Sequence, residues 1–244
     1  MLRLVSLVAA LLGALLLAST STVITAAATT FAQTPEVDVQ TTAATVSAVE
    51  PTLLATALQQ PMTADALPAG FTSAAYFDSN STPGASNQGS EPGIVPTANL
   101  PGTLASIAYT IEGDPTVLGG IASINSINYV VVNPNELSDD VLGDIRSGIE
   151  QGLATPVPST TQFAIEDVEL GGAPALLLTF TVTDASVNAV VQMHVVPVGN
   201  VVVVGLVTIA DQVAVDPVSA LAPSQELTLA GISHLGTVAQ GLSG

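Results

Sequence analysis

The sequence predicts an α+β domain in which an antiparallel β-sheet is flanked by helices. Apolar residues make up 48% of the 244 residues and aromatic residues only 3%, which indicates an aliphatic core. Between residues 163 and 209, short segments of alternating apolar and polar residues are separated by turn residues, as in a strand meander. Apolar residues spaced three and four apart stand before and after this meander, as in helices that cover a sheet.

The N-terminal elements follow a segment rich in Thr, Ala and Pro. Residues 29–65 are interpreted as a lead or linker that contains one short helix over residues 51–60. The single α+β domain is predicted to span residues 66–244 and to begin with a strand through residues 74–77. Residues 79–102, rich in Asn, Ser, Pro and Gly, are predicted to form a long mobile loop inside this domain.

Two strands and a helix are predicted in the middle of the domain. The strands cover residues 104–111 and 124–132, and Gly113-Asp114-Pro115 ends the first. Ser138 is placed to cap a helix, and two aspartates follow it in the first turn, where the helix dipole favours negative charge. The apolar stripe of this helix consists of Val141, Leu142, Ile145, Ile149 and Leu153.

The meander and a terminal helix complete the domain. Four strands are predicted over 163–170, 175–183, 187–198 and 201–209, with glycine-containing turns between the first two and the last two. In the second strand a hydroxyl face opposes an aliphatic face, as a sheet with one buried side requires. The last helix is predicted to start after Pro223-Ser224, although the internal glycines Gly231, Gly236 and Gly241 weaken its helical pattern.

Local motifs give this order of elements a family resemblance. The motifs are the helix from Asp139 to Leu153, the sequence from Val168 to Ala175 entering a strand, Gln192-Met193-His194-Val195 in the next strand, the turn at Gly199-Asn200, and the terminal helix. Residues 104–242 resemble the PsbP/Mog1-type sandwich, including its secreted bacterial relatives. The resemblance implies an α/β/α sandwich and a non-enzymatic accessory or assembly role. It transfers no functional residue, and the 79–102 loop and the scarcity of Lys and Arg depart from usual members.

The N-terminus has the pattern of an export signal. Met1-Leu2-Arg3 is a short positive region, residues 4–18 are apolar, and Ala26-Ala27-Ala28 resembles a cleavage site. We therefore expect residues 1–28 to be a signal peptide and the mature protein to be secreted or held in the cell envelope, with no stable membrane span after signal removal. The alternative is an uncleaved N-terminal anchor, because residues 19–28 could extend the apolar run.

The charge balance excludes several classes of function. Twenty acidic residues stand against two basic ones, Arg3 and Arg146, which gives a net charge of −18. Nucleic-acid binding requires Lys or Arg at each neutralised phosphate, so we expect no nucleic-acid partner. The chain has no Cys and no Trp, which excludes disulfides, thiolate chemistry and Cys-ligated metals. We expect no cofactor.

Three residues are weak candidates for contact with a ligand or partner. His194 and Gln192 alternate along one predicted strand, and we interpret His194 as a partly exposed histidine on the polar face with the threonines. Arg146 could anchor an acidic ligand, but we favour a structural pair with Glu150 at i+4. His234 is interpreted as a surface or cap-adjacent residue of the terminal helix.

The acidic residues give no strong signal for catalysis or metal binding. Glu166, Asp167 and Glu169 form the densest acidic cluster, but they lack the spacing around a glycine that a Ca²⁺ loop has. Solvated charge is the favoured interpretation, with a weak Ca²⁺ site left open. No Gly-x-Ser-x-Gly motif is present, which gives no support for a hydrolase of that type.

These observations lead to one main functional hypothesis and two alternatives. The main hypothesis is an exported, non-catalytic accessory or binding module whose partner is an unknown protein or a small apolar ligand. The first alternative is a secreted hydrolase that uses His194 with a serine, or a pair of carboxylates. The second alternative is a structural component of the cell surface. Geometry around His194 separates the first two, because a catalytic histidine needs a hydroxyl or carboxylate at about 3.2 Å inside a cleft.

Overall fold

The chain forms one seven-stranded antiparallel sheet with helices on both faces. The computed structural model describes residues 37–60, 62–77, 100–120, 122–153, 161–183 and 188–244. The predicted signal segment and nearly all of the predicted 79–102 loop lie outside these residues. The α+β class, with an antiparallel sheet flanked by helices, is confirmed.

The strand order across the sheet is β1-β2-β3-β7-β6-β5-β4, so two meanders meet where β3 pairs with β7. The strands are β1 (Phe71–Phe77), β2 (Thr103–Gly113), β3 (Ala122–Val132), β4 (Thr161–Leu170), β5 (Ala173–Thr183), β6 (Asn188–Val198) and β7 (Val201–Asp211). The helices are α1 (Val39–Ser47), α2 (Pro51–Ala57), α3 (Pro115–Leu118), α4 (Val141–Leu153) and α5 (Pro217–Ser243), with a 3-10 turn at Ala64–Ala66. The four predicted strands of the second meander are present; β4, β5 and β7 are each two residues longer than predicted, and β6 begins one residue later, at Asn188.

Alternation along the strands divides the apolar residues between two cores. One core lies between the sheet and helices α1, α2 and α5, and we call this side of the sheet the α5 face. It includes Tyr109, Tyr129, Val196 and Val203. The other core lies between the sheet and α4, and we call this side the α4 face. Its strand residues include Val130, Leu176, Leu178, Met193 and Val204.

Residues 37–60 belong to the main core, which differs from their interpretation as a linker. Val39 and Val46 of α1 and Leu54 of α2 are fully enclosed against α5 and the sheet. Asp38 caps α1, and its carboxylate accepts hydrogen bonds from the backbone N–H groups of Gln40 and Thr41. The sequence gives little indication of helix α1, because only Val39 and Val46 are buried in it and the rest of the segment is rich in Thr and Ala.

The terminal helix begins at Pro217, earlier than the predicted start after Pro223. Asp216 caps it, and Pro217 occupies its first position, where a missing N–H costs nothing. Pro223 therefore lies inside the helix. The internal glycines, which weaken the helical pattern in the sequence, are explained at Gly231 by packing. A Cβ on Gly231 would lie 2.9 Å from the Ile127 side chain of β3. Glycine at this position lets α5 approach the sheet.

Candidate functional site: the His194–Ser224 pair

Strand β6 places Gln192 and His194 on the α5 face, two residues apart. Thr179 and Thr181 of β5 lie on the same face, as the sequence predicts. The interpretation of His194 as partly exposed is wrong, because its side chain is 0% exposed. Helix α5 covers this part of the polar face, and the sequence pattern of β6 alone gives no indication of that cover.

A glycine on the neighbouring strand lets α5 come close to His194. Gly205 of β7 lies directly opposite His194 in the register of the sheet. A Cβ on Gly205 would lie 2.1 Å from Thr228 Oγ1 and 2.9 Å from the Thr228 Cα. The backbone of α5 therefore rests on Gly205. Ser224, one turn earlier on α5, is brought against the imidazole of His194.

The hydrogen bonds of Ser224 assign the tautomer of His194. Ser224 Oγ lies 3.0 Å from His194 Nδ1 and 3.0 Å from the carbonyl oxygen of Leu221. A carbonyl can only accept, so the hydroxyl proton of Ser224 points to Leu221 when both bonds are made. His194 Nδ1 then carries a proton and donates it to Ser224 Oγ. Nε2 is left as an acceptor, and it has no hydrogen-bond partner among the described residues.

Burial also keeps His194 neutral. Removal from water disfavours the imidazolium and lowers the pKa of His194 from 6.5 to about 4. No charged neighbour contributes to this shift, because loss of solvation is its only cause. At neutral pH the pair is therefore an uncharged hydrogen bond inside the main core.

This arrangement differs from an activated serine in three ways. A catalytic histidine accepts the serine proton, whereas His194 donates its own proton to Ser224. A triad also needs a carboxylate on the far nitrogen, and no described residue bonds to His194 Nε2. Finally, Ser224 and His194 are both 0% exposed, so a substrate cannot reach either group without movement of α5.

Gln192 and Arg146, the other two candidate residues, do not join this pair. Gln192 is buried, and its amide nitrogen donates to Thr179 Oγ1 at 3.5 Å. Arg146 lies on α4, on the opposite side of the sheet. Its guanidinium donates to a carboxylate oxygen of Asp167 on β4 at 2.5 Å, so the predicted pairing with Glu150 is wrong. A partner 21 residues away could not be inferred from helical spacing.

The acidic cluster on β4 does not converge on one point. Strand alternation places Glu166 on the α5 face and Asp167 and Glu169 on the α4 face. In the parts of the chain that the structure describes, no three His, Cys, Asp or Glu side chains are grouped so that they could hold a metal ion.

A second polar cluster, missed in the sequence, surrounds His234. Its ring makes an edge contact with Tyr109 at a centroid distance of 6.2 Å and lies tilted against Tyr129 at 6.3 Å. The Tyr129 hydroxyl donates to the carbonyl of Gly231 at 2.9 Å, and the Tyr109 hydroxyl lies within hydrogen-bond distance of the carbonyl oxygens of Leu58 and Gln60. Burial lowers the pKa of His234. The cluster connects the segment after α2 and the middle of α5 to strands β2 and β3.

The comparisons with known proteins add no family. The chain matches no protein-family model and no curated protein. Within the described ranges, no helix is both long and apolar enough to cross a membrane.

Proposed function

We propose that the protein is an exported, non-catalytic binding module. The observation that carries this proposal is the His194–Ser224 pair, whose proton arrangement and enclosure suit a core hydrogen bond better than catalysis. Each of these features opposes nucleophilic attack by Ser224, and together they favour a structural role for His194 and Ser224.

The architecture supports the same proposal by analogy. An antiparallel sheet with helices on both faces is the layering that a PsbP/Mog1-type sandwich would have. We propose membership of that fold type, and with it an accessory or assembly role. The analogy concerns the fold and assigns no partner.

Export is the second part of the proposal. Its support is the order of a positive residue, an apolar run and small residues at the N-terminus. N-terminal sequencing of the protein recovered outside the cytoplasm tests this part, with a start after Ala28 expected. Full-length protein that starts at Met1 and stays in the membrane fraction would favour the uncleaved anchor.

A secreted hydrolase is the rival function, and one observation favours it: the 3.0 Å contact between Ser224 Oγ and His194 Nδ1. Incubation of the folded protein with a fluorophosphonate probe separates the two functions, because such probes label activated serines. We expect no labelling of Ser224, and the Ser224→Ala variant serves as the matched control. Labelling that the variant abolishes would overturn the non-catalytic proposal.

A further inference from the structure

The two edges of the sheet differ in how well they are protected. Strand β4 forms one edge and keeps an uninterrupted register with β5 over all ten residues from Thr161 to Leu170. Among the described residues, no strand pairs with its outer side. Strand β4 also contains no proline. A long, regular, unpaired edge is a template for one more strand.

The opposite edge carries the features that natural sheets use to prevent strand addition. Strand β1 has only seven residues, and its register with β2 shifts between Phe71 and Ser73. Such an irregularity twists an edge and interrupts its ladder. The sheet therefore has one blunted edge and one regular edge.

The side chains of β4 define what a strand beside it would contact. On the α4 face, Phe163 and Ile165 are half-buried, and they are followed by Asp167 and Glu169, which are exposed. Phe163 packs on Phe180 of β5 with ring centroids 4.6 Å apart. A strand added antiparallel to β4 would therefore face two acids first and two apolar groups next; of the two acids, Asp167 already accepts from Arg146 through one carboxylate oxygen.

We infer that the outer edge of β4 accepts an extended segment of a cationic partner protein. The segment alternates, with two Lys or Arg residues opposite Glu169 and Asp167 and two apolar residues opposite Ile165 and Phe163. Backbone hydrogen bonds supply the general attraction, and these alternate side chains supply the specificity. The inference rests on the proposed binding function and names its surface and the chemistry of its partner.

The charge of the chain excludes its own segments as the occupant. The sequence contains two basic residues, Arg3 and Arg146, so no stretch of it holds two cations at alternate positions. A second copy fits badly for a related reason. When β4 pairs with β4 of another molecule along its full length, Asp167 or Glu169 lies opposite an apolar residue and gains no cation.

Three synthetic peptides and the full secreted chain test the inference. The first peptide, with blocked ends, reads Thr-Lys-Thr-Lys-Thr-Val-Thr-Val-Thr. The second replaces both lysines by glutamate. The third keeps the lysines and valines but replaces the three inner threonines by proline, so that it cannot form a ladder. We expect only the first peptide to bind in calorimetry, and binding should weaken as salt is raised.

Two protein variants with the same charge change locate the binding. Glu169→Lys reverses an acid on β4, whereas Glu150→Lys reverses an exposed acid on α4 and serves as the matched control. We expect Glu169→Lys to weaken the affinity for the first peptide about three- to tenfold, and Glu150→Lys to change that affinity less than about twofold. Hydrogen exchange should slow in residues 161–170 on binding and stay unchanged in residues 71–77.

Several results would overturn the inference. Equal binding of the proline peptide would indicate diffuse attraction to an acidic protein, and protection of residues 71–77 in place of 161–170 would indicate the wrong edge. No binding of the first peptide would contradict it directly. The proposed function fails separately, through fluorophosphonate labelling of Ser224, so the two failures are distinguishable.

Discussion

The α5 face and the α4 face of the same sheet are covered in different ways. On the α5 face, α1, α2 and the 27-residue helix α5 enclose the core, and glycines at 205 and 231 set the distance between helix and strand. On the α4 face, the 13-residue helix α4 is the one helix among the described residues that covers the sheet. Apolar residues near its border, such as Phe163 and Leu206, are only half-buried.

This difference separates stability from binding. His194 on the α5 face and Ser224 of α5 are enclosed. The α4 face and the neighbouring edge of β4 keep side chains and backbone that a partner could reach. Substitutions at the enclosed contact between α5 and the sheet should therefore change stability, and substitutions of exposed residues at the border of the α4 face, such as Asp167, should change stability little.

The largest effect is expected at the contact between α5 and β7. Gly205→Ala adds a Cβ at 2.9 Å from the Thr228 Cα, a backbone atom that cannot rotate away, so we expect a loss of about 3 kcal/mol or more in the free energy of unfolding. Urea denaturation measures it. Gly148→Ala on α4 is the control: no atom lies within 4 Å of the added Cβ, and a gain of about 0.5–1 kcal/mol is expected. Similar values for the two variants would remove the contrast between the faces.

The next effect depends on pH. Because burial lowers the pKa of folded His194 from 6.5 to about 4, the unfolded chain binds a proton in this interval that the folded chain does not. The contribution of His194 is therefore complete above pH 6.5 and is lost as the pH falls through about 4, a total of about 3 kcal/mol. Denaturation at several pH values should show this loss in the wild type. His194→Asn, which keeps a donor near Nδ1, should lose correspondingly less, and an identical pH dependence would contradict the assignment.

A smaller loss is expected from the tyrosine that joins β3 to α5. Tyr129→Phe removes the hydroxyl that donates to the Gly231 carbonyl across the contact between β3 and α5. We expect a loss of about 1–2 kcal/mol in the free energy of unfolding, measured in urea. Phe163→Leu on the α4 face is a comparison, because Phe163 is half-buried and makes no side-chain hydrogen bond. A larger loss of unfolding free energy for Phe163→Leu than for Tyr129→Phe would contradict the expected difference between the two faces.

The smallest effect is expected at the ion pair on the α4 face. Arg146 is 27% exposed and Asp167 is 84% exposed, so water screens their attraction. Arg146→Gln should lower the free energy of unfolding by less than about 1 kcal/mol, and 1 M salt should reduce the difference further. A loss as large as that of Gly205→Ala would show that α4 depends on this pair.

Local patterns predicted the strands, and long-range contacts escaped prediction. Alternating apolar residues and the turn glycines defined the second meander because both signals lie within a few neighbouring positions. The burial of His194 depends on α5, whose contact residue Ser224 is 30 positions away in the sequence. It also depends on Gly205, and a single glycine in a strand does not by itself indicate that a helix packs against it. The partner of Arg146 was missed for the same reason. Helix α1 was missed because two buried valines in a Thr/Ala-rich stretch give too weak a period.

The central claim is that His194 is a neutral core residue that donates to Ser224. Nitrogen-15 NMR of the imidazole tests it most directly, because the two ring nitrogens report the tautomer and its titration. The account predicts a proton on Nδ1 at pH 7 and no protonation of Nε2 until the pH approaches about 4. A proton on Nε2 at pH 7, with titration near 6.5, would contradict it, since Nδ1 would then be free to accept the proton of Ser224.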